Sequence, residues 1–388
     1  MRKVAIIGIG QTSVSEHWDK SLKELAGEAI LATLMDARRE TVDGLFVGNM
    51  LSGSLNRQEN LGVLIADWVG LHGVEAVKIE TACSSGGSAL RAGLIAVASG
   101  EMDSALVVGV EKMTDAKPNE TTAALATAAD ADWEAAHGLT FVAINALIMR
   151  RYMHEYGWQH ADFAPFSITA HTNAVSNPYA RLPFTISESD YINARMVADP
   201  INLLDASPIG DGAAALFLVP VDDIVQKSHS KSRPGVTIVA SSSATDTIAV
   251  HDRVEPLWLS AAAWSAQKAY AQAGIEPSDI DFFELHDAFS IMSALSLEAC
   301  GFADRGQGPR LGLDGEITLK GRIPIATLGG LKARGHPVGA TGVYQVVEIV
   351  QQLRGEAGAS QINQPRIGMA QNIGGSGATI VTHIFKAE

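Results

Sequence analysis

Three residues of the chain have the side-chain types and neighbours that suit nucleophilic chemistry: Cys83, His286 and His336. Cys83 lies in the segment TACSSGGS, between a predicted strand and the apolar stretch ALRAGLIAVAS, at the start of a predicted helix. A thiol in that position meets the positive end of the helix dipole, which can lower its pKa from about 8.5 to about 3.5–7.5. Free cysteines are commonly just small buried hydrophobic residues. The position at a strand-to-helix turn favours a nucleophile.

His336 holds the corresponding place in the second half of the chain, in the segment KARGHPVGATG directly before a predicted helix at 340–353. If the two halves pack with two-fold pseudo-symmetry, Cys83 and His336 face each other. A histidine beside a cysteine is the usual base that activates a thiol. Considered alone, His336 is better interpreted as a loop histidine held by local hydrogen bonds; opposite Cys83 it becomes a candidate base.

Two further loops contain candidate residues. His286 follows the predicted strand DFFEL, and α/β folds place their sites at the carboxyl ends of strands. A neutral imidazole there can donate a hydrogen bond to a developing oxyanion, with Asp287 either orienting the ring or binding backbone amides. The segment Asn372–Gly375, NIGG, offers backbone N–H groups for an anion nest.

Composition excludes several classes of protein. The net charge of −14 argues against a dedicated nucleic-acid or anionic-membrane binder. Two cysteines, Cys83 and Cys300, are too few for a disulfide framework or a zinc ribbon and fit a reducing cytoplasm. The apolar stretch at 138–149 is too short to span a bilayer. We therefore expect a soluble cytoplasmic protein, and no carboxylate–histidine cluster suggests a metal.

Strands and helices alternate along the chain, which indicates α/β layers. In the first half the patterns predict strands at 4–9, 43–48, 77–80 and 104–109, with helices at 21–36 and 84–99. In the second half they predict strands at 236–240, 281–285 and 366–371, with helices at 257–273 and 340–353.

The two halves also match in detail, which predicts a duplicated unit. VDGLFVGNM (42–50) parallels IDFFELHDA (280–288), and GDGAA (210–214) opens an apolar run as GSGAT (375–379) does. Any two α/β segments look somewhat alike, but the paired strand entries favour duplication. About a hundred extra residues before the first of these entries predict an inserted domain. The predicted bounds are 1–111 and 206–222 for the N-terminal half, 112–205 for the insert and 233–388 for the C-terminal half, with a linker at 221–235.

At these motifs the chain resembles the thiolase superfamily along essentially its whole length. TACSSG, GHPVGATG and the glycine-rich C-terminal strand entry match the three active-site blocks of that family. ELHDAF, GVEKMTD and ALIMRRYMHEYG look most like the archaeal-type acetyl-CoA acetyltransferases. The resemblance implies a five-layered αβαβα fold from two similar halves, with a loop domain inserted in the first. It also implies the condensation of two acetyl-CoA to acetoacetyl-CoA and CoA, or the reverse thiolysis.

The resemblance assigns a role to each candidate residue. Cys83 is the nucleophile that takes the acyl group, and His336 deprotonates it and later helps to hold the thioester oxygen. His286 takes the place of a residue that shapes the enolate oxyanion hole, often through water. The backbone N–H groups of Cys83 and Gly374 match a second oxyanion hole.

One departure from the family pattern concerns the second cysteine that many thiolases use as acid and base. That position is Asn372 in this chain, and the alternative position used by sterol-carrier-protein-type thiolases is Ala288. Cys300 matches neither position and is predicted to be a packed helix residue. Either His286, His336 or a bound water must then move the α-proton of the substrate, or condensation is not the reaction. Retro-aldol cleavage, acyl transfer to a non-CoA acceptor and, less favoured, a non-catalytic acyl-binding subunit are the alternatives.

The resemblance also implies the ligands and partners. No cofactor is expected to be permanently bound, and a coenzyme A thioester is the expected substrate. A homodimer or homotetramer is expected. Archaeal-type members associate with a small zinc-containing OB-fold protein and with 3-hydroxy-3-methylglutaryl-CoA synthase, and such a partner would have to supply its own zinc ligands.

Overall fold

The computed structural model describes residues 2–223 and 235–387, so the predicted linker at 221–235 falls largely outside the described residues. The strands are β1 Val4–Gln11, β2 Gly44–Gly48, β3 Glu75–Ile79, β4 Ala105–Glu111, β5 Met196–Ala198, β6 Ile201–Asn202, β7 Gly212–Pro220, β8 Val236–Thr245, β9 Phe282–Glu284, β10 Ile367–Gly374 and β11 Thr379–Ala387. The α-helices are α1 Leu22–Ala37, α2 Ser52–Leu55, α3 Leu61–Trp68, α4 Ser85–Ser99, α5 Pro118–Ala126, α6 Phe141–Tyr156, α7 Ala164–Ala174, α8 Glu188–Asn193, α9 Ser260–Ala273, α10 Ser290–Ala299, α11 Gly308–Leu313 and α12 Thr341–Arg354. Every strand and helix predicted above is present, and β8 continues to Thr245 instead of ending at residue 240.

Nine of the described strands form one sheet, and their order shows the duplication. The order is β3-β2-β4-β7-β1-β8-β11-β10-β9. The run β2-β4-β7-β1 is mirrored by β9-β10-β11-β8, with a parallel first pair and an antiparallel second pair in each half. β1 and β8 join the halves as an antiparallel pair in which Val4 lies opposite Ile238. The predicted duplicated α/β fold is confirmed; the residue bounds of its parts stay predictions.

Alternating side chains of each half-sheet enter different apolar clusters, which produces the layers. In β2, Leu45 and Val47 pack outward against α1 and α3, whereas Phe46 packs inward against α4. In β9, Phe282 joins the inward cluster with α12, and Phe283 joins the outward one with α9 and α10. This period of two is what a strand covered on both faces requires. The layers are, in order, outer helices, the first half of the sheet, α4 with α12, the second half of the sheet, and outer helices again.

Glycines allow the two central helices to begin in contact. A Cβ on Gly86, in the first turn of α4, would lie 2.9 Å from the carbonyl oxygen of Gly339 and 3.0 Å from the backbone N of Val343. Only glycine permits this approach of two backbones. The segments that carry Cys83 and His336, which directly precede these helices, are therefore held side by side.

The chain between β4 and β7 contains α5 to α8 and the small β5–β6 sheet. Its apolar side chains, among them Tyr152 and Phe163, share one cluster with α10 residues such as Leu295. The insert thus packs against the second half. Within the described residues, no helix combines the length and the apolar character needed to cross a bilayer.

Candidate active site

The structure brings Cys83, His286 and His336 together. The Cys83 sulfur and one ring nitrogen of each histidine all lie within 4.8 Å of one another. Cys83 lies in the turn before α4, and His286 comes shortly after β9 ends. His336 lies between a π-helical turn, Gly330–Arg334, and α12. Each residue thus lies at the end of a rigid element, although the three elements come from distant parts of the chain.

The backbone directly before Cys83 is strained. Ala82 has φ of 53°, in the left-handed region that side chains other than glycine rarely adopt. Its N–H donates to the carboxylate of Glu80, and Thr81 Oγ1 lies 2.7 Å from the hydroxyl oxygen of Ser88 in α4. Strain of this kind persists only where surrounding contacts hold it, and it concentrates at functional sites.

The predicted lowering of the Cys83 pKa is wrong. Burial raises the pKa of the thiol to about 12, and the negative charge of Glu111 adds to the rise. Hydrogen bonds from the backbone N–H groups of Gly375 and of Cys83 itself oppose it. Desolvation outweighs these hydrogen bonds. The resting group is the thiol, which needs a base before it can attack.

His336 is held in its neutral form. Burial, with smaller contributions from His286 and Arg334, lowers its pKa well below the usual range. Its Nδ1 lies 2.7 Å from Thr341 Oγ1, and the Thr341 hydroxyl donates to the carbonyl of Pro337. The Thr341 oxygen therefore accepts the Nδ1–H of His336. The lone pair on Nε2 is left available to a proton from the thiol.

His286 is also neutral. Burial and the charge of Arg334 lower its pKa to about 3. Its ring meets that of His336 edge-on, with centroids 5.0 Å apart and planes at 85°. Arg334 is buried and pairs with Glu348 at 2.8 Å, with its guanidinium 4.8 Å from the centre of the Tyr344 ring. The positive charge of Arg334 disfavours the protonation of both histidine rings.

The C-terminal loop brings a backbone N–H group to the thiol and a side-chain amide to His286. The amide that contacts the Cys83 thiol is that of Gly375, which has φ of 62°. Gly374, predicted for the oxyanion hole, is the last residue of β10, and its carbonyl accepts the N–H of Ala378 at 3.2 Å; its role in the oxyanion hole stays a prediction. Asn372 is buried behind His286, with its Nδ2 3.1 Å from Nδ1 of that ring. The double glycine of the NIGG segment was the only feature of the sequence that pointed to a contact between Gly375 and the thiol.

A mainly apolar cavity of about 180 Å³ opens beside these residues. Cys83, His286, His336 and Gly375 form part of its wall. Apolar side chains from the insert and from the second half form much of the rest, including Leu125, Phe141, Val142, Ala288, Phe289 and Met292. Such a lining excludes water and strengthens the interactions between charge and hydrogen-bond donors.

The cluster also has the donor types of a zinc site. One thiolate and two imidazoles are ligands that Zn²⁺ prefers. Among residues 2–223 and 235–387, these are the three side chains of such types that lie close enough together to hold an ion.

Two family models together match most of the chain. The model described as "Thiolase, N-terminal domain" matches residues 3–222, and the one described as "Thiolase C-terminal domain-like" matches residues 242–387. The chain is 45% identical over 387 residues to "Acetyl-CoA acetyltransferase" of Methanothermobacter thermautotrophicus, covering 99% of this chain and 100% of that protein. It is 39% identical over 395 residues to the protein of the same name from Methanocaldococcus jannaschii, covering 99% of each. A solved structure described as "Ltp2-ChsH2(DUF35) aldolase" superposes with a TM-score of 0.85 at 26% identity, covering 99% of this chain and 98% of that chain.

Proposed function

The chain belongs to the thiolase family of acyltransferases, and from this premise we propose that it is an acetyl-CoA C-acetyltransferase that works through an acyl group on Cys83. The reaction joins two acetyl-CoA into acetoacetyl-CoA and CoA, or runs in reverse. The observation that carries the proposal is the meeting of Cys83, His286 and His336 within 4.8 Å at an apolar cavity. The identity to relatives named acetyl-CoA acetyltransferase supports the choice of substrate.

In the first half-reaction, Nε2 of His336 takes the proton of the Cys83 thiol. The thiolate attacks the thioester carbonyl, and the developing oxyanion accepts hydrogen bonds from the backbone N–H groups of Cys83 and Gly375. When the intermediate collapses, the bond to the CoA sulfur breaks and that sulfur takes the proton back from His336. The products are acetyl-Cys83 and free CoA.

In the second half-reaction, a second acetyl-CoA loses an α-proton to Nε2 of His336 and forms an enolate; His336 later returns this proton to the leaving Cys83 thiolate. His286, which forms part of the cavity wall, donates a hydrogen bond to the enolate oxygen. The enolate carbon attacks the carbonyl of acetyl-Cys83, the carbon–sulfur bond breaks, and Cys83 is protonated again. Holding both thioesters in one apolar site removes most of the entropic cost of bringing them together.

Thiolysis of acetoacetyl-CoA tests the proposal. Purified protein given acetoacetyl-CoA and CoA should consume the β-ketothioester, and the Cys83→Ala variant should not. Cys300→Ala is the matched control, because Cys300 is buried at the end of α10, away from the cavity wall. Consumption by Cys83→Ala at the parent rate would end the assignment of the nucleophile.

Retro-aldol cleavage is the second candidate. The structural likeness to a protein named as an aldolase favours it, as does the absence of cysteine at positions 288 and 372. The two reactions differ in covalent chemistry, since retro-aldol cleavage needs no acyl-enzyme. Mass spectrometry of the protein after incubation with acetyl-CoA separates them: acetylation of Cys83 supports acyl transfer, and an unmodified Cys83 supports retro-aldol cleavage. Acetylation without turnover of acetoacetyl-CoA points instead to a non-CoA acceptor.

Partners and assembly are part of the proposal. We infer a homodimer or homotetramer in the cytoplasm, and association with a zinc-containing OB-fold protein and 3-hydroxy-3-methylglutaryl-CoA synthase. The family resemblance supports all of these, and the name of the aldolase structure, which joins two components, supports a protein partner. Turnover of acetoacetyl-CoA measured with and without a candidate OB-fold partner tests whether the partner matters.

A further inference from the structure

Asn372 connects His286 to the start of α4. Its Oδ1 accepts the backbone N–H of Gly87 at 3.2 Å, and its Nδ2 lies 3.1 Å from Nδ1 of His286. All three groups are buried. The side chain stands at the position where many thiolases carry their second cysteine, so its own role is open.

The chemistry of Gly87 determines which way the amide of Asn372 points. Gly87 is the third residue of α4, so its N–H belongs to the first turn and has no partner within the helix. A backbone N–H can only donate, so the oxygen of Asn372 must face it. The NH₂ group is then directed at His286.

The amide in turn determines where the proton of His286 lies. An NH₂ group only donates, so Nδ1 of His286 must accept. A neutral imidazole has a single N–H, which is therefore on Nε2. We infer that Asn372 is a positioning residue that fixes His286 as the Nε2–H tautomer, so that His286 donates a hydrogen bond in the reaction and does not take the α-proton of the substrate. The kinetic part of this inference rests on the proposed function.

The proton transfers balance without His286 as a base. The α-carbon–hydrogen bond of the second acetyl-CoA breaks, and the proton passes to the lone pair on Nε2 of His336, which the departure of CoA has restored. The enolate oxygen accepts the Nε2–H of His286. After the enolate carbon attacks acetyl-Cys83, the leaving thiolate takes the proton from His336, and both histidines end as they began.

The carboxylate of Glu111, which acts on the Cys83 thiol, is not available as a base. Each oxygen of Glu111 accepts hydrogen bonds, and every donor is an N–H group: the side chain of Asn49 and the backbones of Met50, Leu51 and Gly339. A carboxylate satisfied in this way has no free lone pair directed at the cavity.

Two glycines make room for the Asn372 bridge. A Cβ on Gly342, in the first turn of α12, would lie 2.2 Å from Oδ1 of Asn372. A Cβ on Gly87 would lie 3.1 Å from the same atom. The starts of both central helices therefore enclose this one amide, which explains how a single side chain can have a defined orientation there.

The tautomer can be measured directly. In protein labelled with ¹⁵N in its histidine rings, the His286 signals, assigned by their loss in His286→Gln, should show a proton on Nε2 and a bare Nδ1. A proton on Nδ1 would overturn the inference, whatever the activity. This readout also separates the inference from the proposed function, because it needs no substrate.

Two variants test the consequence for catalysis. Asn372→Asp replaces the donor by an acceptor and moves the proton of His286 to Nδ1. Condensation should then fall by about 10²–10³, the usual effect of losing one oxyanion-hole donor. Acetylation of Cys83 by acetyl-CoA, which does not use His286, should persist and also shows that the variant is folded.

His286→Gln keeps a donor near the position of Nε2 but has no basic nitrogen. It should retain condensation within about tenfold of the parent, well above His286→Ala, which lacks the donor. If Gln at this position is as inactive as Ala while Cys83 is still acetylated, His286 acts as a base and the inference fails. Parent-level condensation in Asn372→Asp would contradict it equally.

Discussion

Glu111, the last residue of β4 in the first half, accepts a hydrogen bond from the backbone N–H of Gly339 in the second half at 3.0 Å. The same carboxylate accepts the N–H groups of Met50 and Leu51. It therefore ties the loop that carries His336 to the half that carries Cys83. Burial raises the pKa of Glu111 to about 7, because these donors only partly offset the loss of water.

Replacing Glu111 by Gln should change both stability and thiol reactivity. The amide NH₂ would face N–H donors, which should cost about 1–3 kcal/mol of the free energy of unfolding. Loss of the negative charge should lower the pKa of Cys83, since Glu111 helps to raise it. The rate of Cys83 alkylation by iodoacetamide, followed against pH, should therefore rise at lower pH than in the parent. Glu80→Gln is the control and should shift the profile less, because Glu80 is exposed and its effect is smaller; an unshifted profile in Glu111→Gln would contradict the electrostatic account.

Thr341 should matter to catalysis through His336. Its hydroxyl oxygen holds Nδ1–H and so leaves Nε2 as the base. Thr341→Val has nearly the same shape but lacks the acceptor, so the rate of Cys83 acetylation should fall about hundredfold, the lower end of the range that general-base catalysis contributes. Thr341→Ser keeps the hydroxyl and should recover most of the rate. Equal losses in the two variants would show that packing, not the hydrogen bond, is what matters.

Removing one member of the buried Arg334–Glu348 pair should lower the free energy of unfolding more than removing both. Glu348→Leu leaves the guanidinium buried without its partner at 2.8 Å, which should lower the free energy of unfolding by about 3–5 kcal/mol. The double variant Arg334→Met/Glu348→Leu should be more stable than this single variant in urea unfolding. If the two substitutions instead destabilise additively, the two charges do not act as a pair.

His383 on β11 should make the protein sensitive to acid. Burial lowers its pKa to about 4, and its Nε2 lies 3.1 Å from the carbonyl oxygen of Gly87. The unfolded chain has a histidine pKa of about 6.5, so His383 contributes its full stability above that pH. The contribution is lost as the pH falls toward 4, at roughly 1.4 kcal/mol per pH unit. The reason is that the unfolded state then binds a proton at this histidine and the folded state does not.

His383→Gln keeps a donor to Gly87 without a titrating group. As the pH falls from 6.5 to 4, the free energy of unfolding should therefore decrease more in the parent than in the variant. Above pH 7 the difference between the two should stay constant. Urea titrations at each pH provide the measurement. His72→Gln, at an exposed position, is the control, and a difference independent of pH for His383→Gln would refute the assignment.

The fold could be predicted from the sequence in most respects because its causes are local. Each half-sheet strand shows a short apolar run, and each long helix shows its own periodicity, so the order of elements follows from neighbouring residues. The duplication could be predicted because the matching elements, β2 with β9 and β7 with β11, have similar residues in the same order along the chain. The same local signals placed Cys83 before α4 and His336 before α12.

The properties of the site were decided by contacts between residues far apart in the chain. The sequence placed Cys83 at a helix start and so suggested a low pKa, but burial and Glu111 reverse the direction. The contact of Gly375 with the thiol and the bridge from Asn372 to His286 form only when β10 lies between β9 and β11, beneath α4. Desolvation and the direction of a hydrogen bond depend on what surrounds a group in space. For this protein the sequence by itself determined the order of the elements and the positions of Cys83 and His336 at helix starts, and the tertiary structure decided which groups surround them and which of them carries the proton.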